Sequence, residues 1–283
     1  MERFVDVADG VRLWSERLAG PAGANPLLLI MGANASGLAW PETLLARLTA
    51  HHPVIRYDHR DTGRSTWAFD EQPYSVADLA DDAVAVLDAW DVERAHVVGM
   101  SMGGTLVQLL LLDHPDRLLS ATLLCTAALD AWDVPDMPGP SLSLLRMWQE
   151  FDDPRDDAGE LAWRVEHWRL LNGATIPFDP DEFRELERRV IAHTGRPDTP
   201  GAHARAAQDG LERAAELGSV TVPTLVVEAP DDPVNPPPHA RHLADTIAGA
   251  ELTTVPGMGH ALPAAVVDPL ADALLAHTAG VRR

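Results

Sequence analysis

Gly99-Met100-Ser101-Met102-Gly103 joins the apolar run His96–Val98 to a stretch with helical periodicity, Met102–Asp113. A strand that turns at once into a helix leaves no room for side chains two residues on either side of its apex, and both positions are glycine here. Ser101 is then forced out above the end of the strand, with a helix N-terminus beneath it. The free N–H groups and the positive end of the helix dipole at that point favour developing negative charge. Elsewhere the same five residues would be a weak pattern, but between strand and helix they are the setting of a nucleophile.

A serine hydroxyl is a poor nucleophile at neutral pH and needs a base. Of the 12 histidines, His260 ends Pro256-Gly257-Met258-Gly259-His260, just past the last strand-like run, where flanking glycines let the backbone bring an imidazole back over a sheet. The base in turn needs an acid to fix its tautomer and stabilise the imidazolium. After the run Thr224–Glu228 come Ala229-Pro230-Asp231-Asp232-Pro233-Val234. Asp232, directly ahead of Pro-Val, is the preferred acid, with Asp231 and then Asp130 as alternatives. The oxyanion of an acyl-transfer intermediate needs two preorganised donors. The N–H of Met102 follows the nucleophile, and the N–H of Ala33 lies in the loop after Leu27–Met31. Gly32 and Asn34 flank that second donor and are expected at the substrate, Gly32 for close backbone approach.

The rest of the chain reads as an α/β protein. Asp9-Gly10 between Phe4–Val7 and Val11–Arg17 marks a hairpin, because that turn needs positive φ. Leu27–Met31, Val54–Tyr57, Ala95–Val98, Leu118–Leu124, Thr224–Glu228 and Leu252–Val255 are short apolar runs of the buried parallel kind. Helical stretches alternate with them: Pro41–Ala50, Ser75–Trp90, Met102–Asp113, Pro237–Ile247 and Pro263–Thr278. Ser75 with Asp78 resembles a capping box. The alternation predicts a mostly parallel twisted sheet with helices on both faces. It breaks between residues 126 and 217, where the sequence is helical and acidic, with joints at Pro135–Pro140 and Pro197–Gly201. An α-helical cap over 126–217 is therefore expected, inserted into a core of residues 1–125 and 218–283.

Composition excludes several classes. All 22 basic residues are arginine, so a Walker A loop and Schiff-base or pyridoxal chemistry, which need lysine, are impossible. A formal charge of −21 with no basic run argues against nucleic-acid and anionic-membrane partners. Cys125 is the one cysteine, so no internal disulfide can form, and it reads as a small buried residue. His239 and His242 have helical i,i+3 spacing but no third ligand nearby, so no metal is expected. The Arg56–Ser65 stretch reads as a loop whose arginines and aspartates neutralise each other beneath the site. No leader or membrane-spanning run is visible, so a cytoplasmic location is expected. A monomer or small homo-oligomer without a cofactor is expected, acting on a small-molecule ester.

These motifs together resemble the α/β-hydrolase superfamily over most of the chain. Within it, several segments are similar to aclacinomycin methylesterase and its relatives in anthracycline biosynthesis: Leu28-Leu29-Ile30-Met31-Gly32-Ala33-Asn34, Ile55–Ser65, Ala83–Asp88 and Pro256–Pro263. In the cap, Trp168-Arg169 and Pro177-Phe178-Asp179 are similar too, whereas Asp130–Glu160 departs from the pattern. The resemblance implies a serine nucleophile, oxyanion donors and a histidine at the positions named above, and a methyl ester on a bulky polycyclic polyketide as substrate; Trp168 is expected at that substrate. Trp132, Trp148, Trp163 and Trp168 place four of eight tryptophans in the cap, as pocket walls or as helix packing. The other readings left open are different chemistry on the same triad, such as C–C bond hydrolysis or perhydrolysis, and a binding protein that kept the fold.

Overall fold

The Asp9-Gly10 turn closes an antiparallel hairpin, β1 (Glu2–Ala8) and β2 (Val11–Leu18), with Gly10 at φ 74°. The computed structural model describes residues 1–131, 133–196, 198 and 200–281; Trp132 and Pro197, named above, lie outside them. After the hairpin come β3 (Leu27–Ile30), α1 (Glu42–Thr49), β4 (Val54–Tyr57), α2 (Val76–Ala89), β5 (Ala95–Met100), α3 (Met102–Asp113) and β6 (Leu118–Leu124). Then follow α4 (Leu142–Trp148), α5 (Asp157–Leu171), α6 (Pro180–Thr194), β7 (Thr224–Glu228), α7 (His239–Thr246), β8 (Glu251–Thr254) and α8 (Ala264–Gly280). Eight strands form one sheet in the order β1-β2-β4-β3-β5-β6-β7-β8. β4 runs antiparallel to β2 and parallel to β3, and every pair from there to β8 is parallel.

Both faces of this sheet are covered, which is why its strands read as unbroken apolar runs. Leu28, Ile30, Val97, Leu123 and Val226 point to one side, against α2, α3 and α7. Leu27, Leu29, Val98, Leu124 and Val227 point to the other, against α1 and α8. The box at the start of α2 is reciprocal: the Asp78 N–H donates to Ser75 Oγ at 3.1 Å, and the Ser75 N–H to Asp78 Oδ2 at 2.7 Å. Ser75→Ala should therefore lower stability by about 1 kcal/mol, read from a denaturant melt with unchanged slope.

Three helices, α4 to α6, stand between β6 and β7. Asp156 caps α5 through the Gly159 N–H at 2.7 Å, and Asp179 caps α6 ahead of Pro180, where a helix tolerates proline. Arg164 on α5 ties the pair together, bonding Glu160 on its own helix and Glu187 on α6, each at 3.0 Å in buried surroundings. By Ala202, Ala206 and Leu217 the chain is back in the hydrophobic cluster of α2 and α3. Among the described residues no helix is long and apolar enough to cross a membrane.

Candidate active site

From β3 the chain crosses to β4 on one side, and from β5 to β6 on the other. Adjacent strands whose connections leave in opposite directions open a crevice at their carboxyl ends. The loop after β3 brings Gly32 and Ala33 into that crevice, and the turn after β5 brings Ser101.

Ser101 sits at φ 56°, ψ −123°, a region that L-residues rarely occupy and that the surrounding packing must hold. A Cβ on Gly99 would run into the Gly103 carbonyl, and one on Gly103 into the Ile30 carbonyl, so the tight turn accepts only glycine there. Gly32 passes so close that its Cβ would lie 3.0 Å from that of Ser101. No protein acceptor takes the N–H of Ala33 or of Met102 among the described residues. Both N–H groups are thus left without a protein acceptor, one next to Ser101 in the chain and one next to Gly32.

His260 lies 2.9 Å from Ser101 Oγ through Nε2, and 2.9 Å from each Asp232 oxygen through Nδ1. Nδ1 faces a carboxylate, so it carries the proton and leaves Nε2 as acceptor for the serine hydroxyl. Asp232 is 2% exposed. Burial pushes its carboxyl up, but the His260 charge and hydrogen bond, with the N–H groups of Asn235 and Val234, hold it below the ordinary range. It is therefore an anion at neutral pH, facing the ring it must stabilise. Cys125 packs beside this pair, its thiol donating to the Gly259 carbonyl at 3.4 Å. Burial pushes that thiol well up, so it stays protonated and offers no rival nucleophile.

The doubled aspartate divides two tasks. The Asp231 carboxylate accepts the Thr175 N–H at 2.8 Å, just beyond α5. The His260 N–H donates to the Leu171 carbonyl at 2.7 Å, and a Cβ on Gly259 would run into the Asn172 carbonyl. Both the acid-bearing and the histidine-bearing loops are thereby docked on the end of α5. Asp130, the third alternative, pairs with His242 at 2.9 Å, while His239 contacts the Pro138 carbonyl at 2.7 Å.

The Arg56–Ser65 stretch, from the end of β4 into the loop after it, differs from expectation. Its arginines and aspartates do not neutralise one another: Arg60 makes a two-pronged pair with Asp82 on α2, and Arg56 bonds Glu16 on β2 and Glu42 on α1. Asp58, fully buried, instead collects Ser36 Oγ at 2.6 Å, the Gly37 and Arg64 N–H groups at 2.9 Å, and His193 of α6 at 2.7 Å. A two-pronged pair needs a carboxylate in line with the planar guanidinium, and Asp82 on α2 supplies it to Arg60. Neither His193 nor His203 stands out in the sequence, because their partners lie 135 and 169 residues distant along the chain.

Trp168 donates its indole N–H to Glu187 at 2.6 Å and stacks on Phe183 at 5.3 Å between ring centres. Trp148 donates to His167 Nε2 at 3.0 Å, and His167 stacks on Trp163 at 5.5 Å. These three tryptophans form the packing of the inserted helices, half-buried at Trp148 and Trp168. Asn34, at φ 60°, donates its N–H to His203 Nδ1 and accepts the His203 backbone N–H on its side-chain oxygen.

The alpha/beta hydrolase fold family model matches residues 25–263. Rhodomycin D methylesterase DauP of Streptomyces sp. (strain C5) is 50% identical over 95% of this chain and 96% of its own length. Rhodomycin D methylesterase DnrP of Streptomyces peucetius is 49% identical over the same shares. A hydrolase from Pseudomonas aeruginosa PA01 superposes with a TM-score of 0.74 at 28% identity, covering 98% of this chain and 97% of that one. A serine on a strand–helix turn, a histidine after the last strand, and half identity along nearly the whole length lead to one assignment: the chain belongs to the α/β-hydrolase fold family and, within it, to that of the rhodomycin D methylesterases.

Proposed function

We propose that this protein is a methyl esterase for an anthracycline-like polycyclic polyketide, and that Ser101, His260 and Asp232 carry its chemistry. The substrate rests on one observation, the 50% identity to a rhodomycin D methylesterase over 95% of the chain. The chemistry is supported by the unbroken hydrogen-bonded series from Ser101 through His260 to Asp232.

His260 takes the Ser101 proton as Oγ attacks the ester carbonyl. The resulting oxyanion is held by the N–H groups of Met102 and Ala33; losing one such donor typically costs about 100- to 1000-fold in turnover. The tetrahedral intermediate expels methanol, protonated by His260. Water then gives a proton to the same ring as it attacks the acyl-enzyme, and the free acid leaves. The glycine at position 32 lets the substrate carbonyl approach the backbone. Within residues 126–217, helices α4 to α6 act as the cap over the crevice, with Trp168 on its substrate side.

The test is intact-mass analysis after a fluorophosphonate probe, alongside methanol release from rhodomycin D. One adduct per chain, lost in Ser101→Ala together with methanol release, is the expected result. An adduct that survives in Ser101→Ala would overturn the nucleophile. An adduct on Ser101 without methanol release from any polycyclic methyl ester would overturn the substrate.

A further inference from the structure

Two buried histidines that take no part in the proton transfers lie on either side of the Gly32–Ala33 pair. His59, from the loop after β4, donates from Nε2 to the Met31 carbonyl at 2.9 Å, immediately before the pair. His203, from the 3-10 turn Ala202–Arg205, accepts the Asn34 N–H on Nδ1 at 2.7 Å, immediately after it. The return bond runs from the His203 backbone N–H to Asn34 Oδ1 at 3.3 Å. The other ring nitrogen of His203 faces the Arg60 carbonyl at 2.9 Å, and a carbonyl can only accept. The tautomer is therefore fixed without appeal to any hydrogen position: Nε2 carries the proton and Nδ1 is the acceptor. The two rings pack edge to face at 5.5 Å, so each supports the other.

We propose that His203, with His59 behind it, is a positioning residue that clamps the Met31–Asn34 loop and so sets where the Ala33 N–H points. The proposal rests on the reading above in which Ala33 is an oxyanion donor. Three observations carry it. The clamp grips the residues directly flanking Gly32 and Ala33, so a displacement of either anchor is transmitted through one or two peptide planes. Asn34 stands at φ 60°, in the left-handed region that asparagine tolerates better than most residues, and both of its bonds to His203 are made from that conformation. The His203 ring is 4% exposed, and it must be neutral to accept the Asn34 N–H. Burial and the nearby His59 hold its pKa down to about 3, which keeps it in that state. An oxyanion donor loses most of its effect when it is displaced by a fraction of an ångström, because it acts on charge that exists only in the transition state.

Three variants of the full chain separate positioning from mere packing. His203→Phe keeps a ring in the pocket and removes both nitrogens. His203→Asn puts a carbonyl oxygen about where Nδ1 accepts, restoring the loop bond while giving up the one to Arg60. Asn34→Gly keeps the backbone conformation and removes only the side-chain acceptor. The readouts are kcat and KM for a polycyclic methyl ester, inhibition by an aryl trifluoromethyl ketone, whose hemiketal oxygen reports on the oxyanion donors, and thermal unfolding. His203→Phe is expected to lose about 10- to 100-fold in kcat with KM within about threefold, and to bind the ketone more weakly by a similar factor. His203→Asn should recover most of that loss even where its unfolding temperature stays low. If His203→Phe does not fold, Asn34→Gly is expected to lower kcat by about threefold or more at unchanged KM. The clamp is overturned if folded His203→Phe keeps kcat within about twofold, if the loss falls on KM alone, or if His203→Asn follows its melting temperature rather than the restored bond. In the Asn34→Gly arm, unchanged kcat overturns it. Loss of the Ser101 reading would appear separately, as an adduct or methanol release surviving in Ser101→Ala.

Discussion

Asp232→Asn is expected to lower kcat by about 10⁴-fold with little change in substrate affinity, while Asp231→Asn changes it by no more than about threefold. The two residues are adjacent and alike, so the contrast depends wholly on where each carboxylate points. Asp232 meets His260 Nδ1 with both oxygens and also accepts the Val234 and Asn235 N–H groups on Oδ1. An amide there keeps its oxygen on those two backbone donors and turns its NH₂ toward the ring. Nδ1 must then accept, the proton moves to Nε2, and Ser101 loses its base. Asp231→Asn, by contrast, retains an oxygen for the Thr175 N–H and alters only how firmly the end of α5 is held. Steady-state kinetics, with the rate of fluorophosphonate labelling as a second measure, decide the matter. A larger loss in Asp231→Asn than in Asp232→Asn would reverse the assignment.

The same pair illustrates how far sequence reading reaches. The strand–turn–helix around Ser101, the box at Ser75 and the hairpin at Asp9-Gly10 are local: each is decided by sterics or hydrogen bonds within a few residues, so residue type and spacing suffice to predict them. The core strands were legible because both faces are buried, which makes apolar runs rather than alternation the signal. Which aspartate faces His260 was a preference from position, since adjacent residues in an irregular loop diverge by backbone torsions that no periodicity encodes. The Arg56–Ser65 loop failed for the opposite reason. Its charges looked self-sufficient in one dimension, yet Arg60 reaches Asp82 on α2, and Asp58 waits for His193 from α6. His203 left no signal at all. A lone histidine in a polar segment acquires meaning only once the chain beyond α6 has folded back against the loop after β3.

Stability is expected to fall steeply between pH 6.5 and about 4, with the unfolding temperature dropping by tens of degrees across that window. Burial pulls the pKa of His59, His96 and His167 from 6.5 down to about 4, and that of His203 to about 3; His277 is lowered as well. The sign follows directly. A base whose pKa is depressed in the folded state binds its proton later than in the unfolded chain. Below pH 6.5 the unfolded state therefore holds more protons, and mass action draws the equilibrium toward it until the folded rings also protonate. For a fully buried ring such as His59, the drop from 6.5 to about 4 corresponds to about 3 kcal/mol. Several such groups are comparable with the whole stability of a typical domain, about 5–15 kcal/mol. Asp82 and Glu182 work the other way, because burial raises their carboxyls and folding then favours their protonated forms. Asp232 reinforces the loss at the acid end, since its lowered pKa makes it a better acid in the folded state. The histidines dominate because they begin to titrate first as pH falls. His96 offers a clean probe, far from the crevice, with Nδ1 on Ser120 Oγ at 2.8 Å and the His52 ring at 5.3 Å. His96→Asn keeps a partner for Ser120 and removes one titrating ring. It should reduce the slope of stability against pH by up to about 1.4 kcal/mol per pH unit in that window. Urea melts at half-unit steps from pH 7.5 to 4.5 measure both slopes. A flat wild-type profile down to pH 5 would mean that these rings reach solvent or charged partners in the folded protein.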